Sequence, residues 1–152
     1  MPDTLSHPFT SRTYVALSIA RGMAAAYGHT DVTAAHIALG ILREGENAAV
    51  ATLHVARVEI RKLRHELEAE LPPHGRTRFG EVVLPATPGE QEIVELAVAE
   101  ATELKDPYLA NEHLLLGMLR DPNTPVARIF SQHGFTYDVA MTRLQSVRDV
   151  KS

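Results

Sequence analysis

His36-Ile37-Ala38-Leu39-Gly40-Ile41-Leu42-Arg43 returns later in the chain as His113-Leu114-Leu115-Leu116-Gly117-Met118-Leu119-Arg120. Five of the eight positions are identical, and the other three exchange one apolar residue for another. The offset, 113 − 36 = 77, also pairs Thr10 with Thr87, Ala20 with Ala97, Ala24 with Ala101, Leu53 with Phe130 and Leu67 with Leu144. Identities gathered in one ungapped register mark a tandem duplication, each copy a small supersecondary unit packed against its twin.

Within the repeated stretch, apolar residues run almost all the way round a helix, the pattern of a helix buried in a core. Gly40 and Gly117 fall mid-helix, where glycine costs about 1 kcal/mol against alanine. Close approach of a second backbone is the usual compensation, so each glycine is expected to mark a helix crossing. His36 and His113 open the two helices. Each imidazole is expected to bond neighbouring backbone and fix the helix start, with a metal-ligand or base role as the alternative.

Outward from these helices the chain reads as four helices and four again. Thr10 caps a first helix that carries Ala16, Ala20, Met23, Ala24 and Tyr27 on one face and ends near Gly28. The buried helix runs from about Thr33 to Glu44, and Asn47 caps a short third helix through Val55. A fourth, from about Glu59 to Leu71, turns Ile60, Leu63 and Leu67 inward. Its interspersed charges read as a solvated face with local ion pairs, a binding patch being the alternative. Pro72-Pro73-His74-Gly75 stops it. In the second copy Thr87-Pro88 is a cap followed by proline at the first helical position, and Ile93, Ala97, Ala101 and Leu104 form the buried stripe. Asn111 is expected to cap the second buried helix. Thr124-Pro125 starts the third, Gly134 ends it, and Thr136 caps the last, inward at Ala140, Leu144 and Val147. The expected plan is an arm over 1–8, a first repeat over 9–71, a linker over 72–86 with Val82-Val83-Leu84 as an extended strap, and a second repeat over 87–150. A repeat of about 65 residues is marginal alone, so the two are expected to fold as one cooperative domain.

Composition sets the class. Apolar residues make up 45% of the 152 and aromatics only 5%, a balance that suits a helical bundle rather than a β-sandwich. The net charge of −4 offers no electrostatic footprint for nucleic acid. The absence of cysteine excludes disulfides and thiolate chemistry. No apolar run approaches the roughly 18 residues that span a bilayer, and Met1-Pro2-Asp3-Thr4-Leu5 lacks a signal peptide's basic and apolar regions. A soluble, cytoplasmic protein is expected, with no membrane partner. There is no Gly-x-x-x-x-Gly-Lys loop, so no ATP binding and no cofactor are expected. His65-Glu66 is followed by Leu67, Glu68 and Ala69, not by the second histidine of a zinc motif. No serine sits in a nucleophile elbow. A binding protein is favoured over a hydrolase without a recognisable motif.

Phe9-Thr10-Ser11-Arg12, then Thr33-Ala34-Ala35-His36 leading through Gly40 into Arg43-Glu44-Gly45-Glu46, resembles the amino-terminal Clp repeat. So does Ala110-Asn111-Glu112-His113 running on to Arg120. The resemblance covers about residues 9 to 147 and both copies. It implies an all-α bundle of eight helices, two tandem four-helix repeats related by a pseudo-twofold axis, as found capping AAA+ unfoldases of the ClpA and ClpC type. It further implies a non-catalytic module that recognises substrates or adaptors for an ATP-dependent Clp protease or chaperone, with protein or peptide partners. A stand-alone regulator, docking on the protease or sequestering ligands of a full-length unfoldase, is the alternative. The chain ends at Ser152, where an unfoldase would continue into its ATPase modules.

In the ClpC type the resemblance also implies two pockets for phosphorylated arginine. Each uses the threonine that starts the first helix and the glutamate before the histidine. A helix N-terminus suits the phosphate and a carboxylate suits the guanidinium. Thr10, Thr87 and Glu112 match, and the expected intact pocket pairs Thr87 with Glu112. Ala35 stands where the first copy's acid belongs, which blunts a pocket. Gly89-Glu90 replaces Arg-Ala and is expected to place a negative charge beside the phosphate, while Pro122-Asn123 replaces Gly-Glu.

Overall fold

The computed structural model describes residues 7–72 and 86–151, and eight α-helices lie within them. They are α1 (Ser11–Ala26), α2 (Ala34–Glu44), α3 (Ala48–Val55), α4 (Ile60–Glu70), α5 (Pro88–Glu103), α6 (Asn111–Leu119), α7 (Pro125–Gln132) and α8 (Tyr137–Lys151). The starts of the two sets differ by 88 − 11, 111 − 34, 125 − 48 and 137 − 60, each 77, so the sequence register is also the structural register. The strap expected at Val82-Val83-Leu84 lies outside the described residues.

Local chemistry explains the boundaries. The side chains of Thr10, Asn47, Thr87 and Thr124 accept the amides of Thr13, Val50, Glu90 and Ala127, each satisfying one orphan donor of a first turn. Gly45 closes α2 in the left-handed region at φ 79°. Left-handed residues also recur at the repeat interval. Gly28 and Lys105 share one such position and Arg57 and Gly134 another, with φ between 60° and 74°. The geometry therefore outlived the glycine in one copy of each pair.

Asn111 is not the cap of α6. Ala110 is, with extended backbone, and Asn111 is the first helical residue. The reason lies at His113, whose Nδ1 accepts the Ala110 amide at 2.9 Å and so fixes the start one residue earlier. His36 does the same for Thr33, also at 2.9 Å. Both rings are fully buried, and both act on neighbouring backbone as the sequence suggests.

α2 and α6 form the centre, buried from Ala35 through Leu42 and from Asn111 through Leu119. α1 lies across α2 and α5 across α6. The glycines sit at those crossings: a Cβ on Gly40 would fall 2.3 Å from the Ala16 carbonyl oxygen, and one on Gly117 would fall 3.0 Å from the Ala97 nitrogen. The copies then interlock reciprocally. α3 packs on α8 and α4 on α7, while α2 meets α5 and α1 meets α6. Each pair maps onto the other by the repeat, as a pseudo-twofold requires. Leu53, Leu63, Leu67, Phe130, Phe135, Ala140 and Leu144 fill the shared core.

Candidate functional site

The two first-helix starts have the same caps and opposite surroundings. Ahead of α1, Thr10 donates its amide to the Leu109 carbonyl at 2.9 Å, and Leu109 returns a bond to Pro8. This short parallel bridge, Phe9 with Leu109, carries the N-terminus of α1 over to the start of α6 in the other copy. A cleft of about 320 Å³ opens there, lined by Thr10, Ser11, Arg12, Asn47, Tyr108, Asn111 and Glu112 among others. The amides of Ser11 and Arg12 are first-turn donors with no intrahelical acceptor, and the helix dipole adds partial positive charge. The opposite wall carries Glu112, which is nearly buried, with one carboxylate oxygen 3.7 Å from Arg148. Arg12 reaches away from it to Glu44 at 2.9 Å and Glu46 at 3.4 Å. Asn111 is 1% exposed, and neither polar atom of its side chain has a partner among the described residues.

The start of α5 is closed. Thr87 accepts the Val32 amide at 3.1 Å as well as that of Glu90. Asp31 Oδ1 accepts the amides of Gly89, at 3.2 Å, and Val32, at 3.0 Å. The chain's own carboxylate thus takes the place at the helix N-terminus that an anion would occupy. The fit is tight enough that a Cβ on Gly89 would come within 2.5 Å of the Val32 oxygen and 2.7 Å of Asp31 Oδ2. Ala35 is buried beside this loop.

The threonines and the acid are therefore grouped across the copies. Glu112 shares its cleft with Thr10, and Thr87 packs on the loop before α2, where Ala35 stands in place of an acid. Equal sequence spacing fits either pairing, and only the crossing at Phe9 and Leu109 decides it. Glu90 also lies elsewhere than expected. Its carboxylate is 2% exposed and receives Arg21 Nε at 2.7 Å and Nη2 at 2.5 Å, tying α5 to α1. The hydrogen bond and charge of Glu90 hold the Arg21 guanidinium above its usual pKa despite partial burial. Glu90 is a structural counterion, not a free charge beside a phosphate. Since Arg21 keeps some solvent, Glu90→Gln is expected to cost about 1.5 kcal/mol, read as a lower midpoint in urea at unchanged slope.

Asp31, Arg21 and Tyr108 escaped the sequence reading. The available signal was divergence at the repeat interval, with Asp31 opposite Tyr108 and Gly89 opposite Arg12. His36 and His113 hold the starts of α2 and α6, and Gly40 and Gly117 stand at the helix crossings, so none of the four lines the start of α1 or α5. Among the described residues no three His, Asp or Glu side chains are grouped to hold a metal ion. None of the described helices is long and apolar enough to cross a membrane.

A buried pair of histidine-led helices, duplicated and interlocked about a pseudo-twofold, defines a Clp-type N-terminal domain. The chain belongs to that family: the model of the Clp repeat (R) N-terminal domain matches residues 8–133. It is 31% identical over 132 residues to the negative regulator of genetic competence ClpC/MecB of Bacillus subtilis (strain 168), covering 87% of this chain and 16% of that protein. It thus spans about a sixth of that relative's length. In fold it is similar to the Hsp104 N-terminal domain from Candida albicans, with a TM-score of 0.74 at 18% identity over 93% of this chain and 92% of the other. The N-domain of ClpV from Vibrio cholerae is similar too, with a TM-score of 0.72 at 16% identity over 93% and 87%.

Proposed function

We propose that this chain is a non-catalytic binding module of the Clp N-terminal type, acting in the cytoplasm, which recognises protein substrates or adaptors for an ATP-dependent Clp unfoldase or protease. The observation that carries the reading is the cleft in which the open N-terminus of α1 faces Glu112. Free first-turn amides at the helix that Thr10 caps suit an anion, and the nearly buried carboxylate of Glu112 suits a guanidinium. A phosphorylated arginine carries both groups on one side chain. Thr10 and Glu112 are the proposed ligand residues, with Thr87 left to close the α5 end.

The ligand is testable directly. Titration calorimetry with free phosphoarginine should give one site per chain. Glu112→Ala should weaken it about tenfold or more, the worth of one charged hydrogen bond. Ala35→Glu should add no second site, because Asp31 already fills the α5 terminus. Two equivalent sites, or an affinity indifferent to Glu112→Ala, would make Glu112 structural and remove this reading.

A further inference from the structure

The duplication did not preserve every charge pair, and one arginine lacks the partners that its counterpart keeps. Arg43 ends α2 at the position that Arg120 holds after α6, 120 − 43 = 77. Arg120 is clamped: its Nε is 3.1 Å from Glu100, its Nη2 is 2.7 and 2.8 Å from the two Glu103 oxygens, and its guanidinium lies 4.7 Å over the Tyr137 ring. Tyr137 in turn donates its hydroxyl to Glu100. The first copy has none of these partners. Met23 stands for Glu100, Ala26 for Glu103 and Ile60 for Tyr137. Glu44, the neighbour of Arg43, is engaged by Arg12.

Arg43 accordingly has no carboxylate partner among the described residues, and neither has Arg64 on α4. Both line one groove of about 370 Å³ between α1, α2 and α4. Met23 and the largely buried Leu39 and Leu42 form its floor, Tyr27 joins the lining, and the carboxylate there is Glu68. The expected ion pairing along α4 is sparse: Lys62 meets Glu59 at 3.2 Å, and Glu66 turns across to His133 on α7. Two guanidiniums against one carboxylate leave local positive charge on a chain whose net charge is −4.

We infer that this groove is a docking site for an acidic segment of a partner protein, one carboxylate meeting Arg43 and Arg64 while an adjacent apolar side chain covers the Met23, Leu39 and Leu42 floor. Charge complementarity selects the occupant. A guanidinium at the groove rim is left unpaired by an apolar or basic segment and is met in bidentate fashion by a carboxylate. Met23 adds an adaptable surface for the apolar residue. The inference rests on the chain being a peptide-binding module, but the site is separate from the cleft at Thr10 and Glu112.

Fluorescence anisotropy on the full chain tests it with two labelled, capped peptides, one with a Glu-Leu-Glu-Leu core in a Gly-Ser frame and one with Gln for each Glu. The acidic peptide should bind about tenfold tighter, with a preference that shrinks as salt is raised. Arg43→Glu and Arg64→Glu should each weaken it about tenfold. Met23→Glu rebuilds the second copy's counterion against Arg43 and should weaken it comparably, Met23→Gln far less, with helical circular dichroism confirming folded variants. Equal binding of the two peptides, no binding of either, or indifference to both Arg43→Glu and Met23→Glu would overturn the site. Saturating phosphoarginine should leave the acidic peptide bound, and displacement would overturn the claim of a separate groove. Failure of phosphoarginine alone to bind would instead count against the Glu112 cleft.

Discussion

Gly40→Ala is expected to destabilise the protein by about 3 kcal/mol and to lower its melting temperature by roughly 10 °C, at the usual 2–4 °C per kcal/mol for a chain of this size. The new methyl would stand 2.3 Å from the Ala16 carbonyl oxygen and 3.3 Å from both the Ala16 carbonyl carbon and the Ala20 nitrogen. All three are backbone atoms of α1, so no side chain can swing aside. α1 must lift from α2, uncovering Ala16, Ala20 and Leu39, now almost wholly buried. The higher helix propensity of alanine returns about 1 kcal/mol and does not offset that separation. Gly117→Ala is the internal control. Its methyl would meet the Ala97 nitrogen at 3.0 Å and Leu96 atoms at 3.1 Å, contacts that a shift of a few tenths of an ångström relieves. Its expected cost is below about 1 kcal/mol. Calorimetric melting of the two variants decides; equal losses would mean that the crossings are equally tight and the asymmetry is wrong.

The mid-helix glycines show what sequence can and cannot convey. A glycine inside an apolar helix is costly unless something needs the space, so the crossings at Gly40 and Gly117 were legible from residues alone. Which crossing is tighter was not, because that depends on the rise of α1 against α2 at the level of tenths of an ångström. The helix boundaries were readable for the same local reason, since Thr10, Asn47, Thr87 and Thr124 each bond within their own first turn. Asn111 misled because a better acceptor, His113 Nδ1, lies three residues beyond Ala110 and moves the cap back by one. The candidate site was legible in its residue types and not in its grouping. Thr10 and Glu112 are separated by the whole first copy, and their meeting follows from two backbone hydrogen bonds at Leu109 that carry no side-chain signature. Glu90 looked free because its partner, Arg21, stands 69 residues earlier on a different helix.

Stability is expected to fall by about 2.5 kcal/mol between pH 7 and pH 4.5 through one buried ring, His36. The hydrogen bonds around it fix its tautomer. The Thr33 amide can only donate, so His36 Nδ1, 2.9 Å away, must accept and be bare. A neutral ring then carries its proton on Nε2 and donates to His29 Nδ1 at 2.8 Å, which leaves His29 Nε2 to donate to the Pro72 carbonyl at 3.0 Å. The chain of bonds runs one way from the start of α2 to Pro72, two residues past the end of α4. A proton added to His36 would face the Thr33 amide donor to donor. Burial first, and then the neighbouring His29, push the His36 pKa down from 6.5 to about 4, with Asp31 opposing weakly. A histidine whose folded pKa lies below its unfolded value stabilises the fold above 6.5, and that contribution is lost as pH drops from 6.5 toward 4. The second copy behaves differently. Asp106 replaces His29 there, and its carboxyl, although burial opposes ionisation, is held below 3.8 by bonds from Arg148 and His113, so its titration lies below this window. His36→Gln separates the effect from other titrations, because glutamine at this third helical position can still reach the Thr33 amide without titrating. Urea unfolding of both proteins at pH 7 and pH 4.5 should show the wild-type advantage shrinking by about 2.5 kcal/mol. A difference that stays constant across that range would mean that His36 titrates alike in the folded and unfolded chain, and the one-way chain of bonds would be wrong.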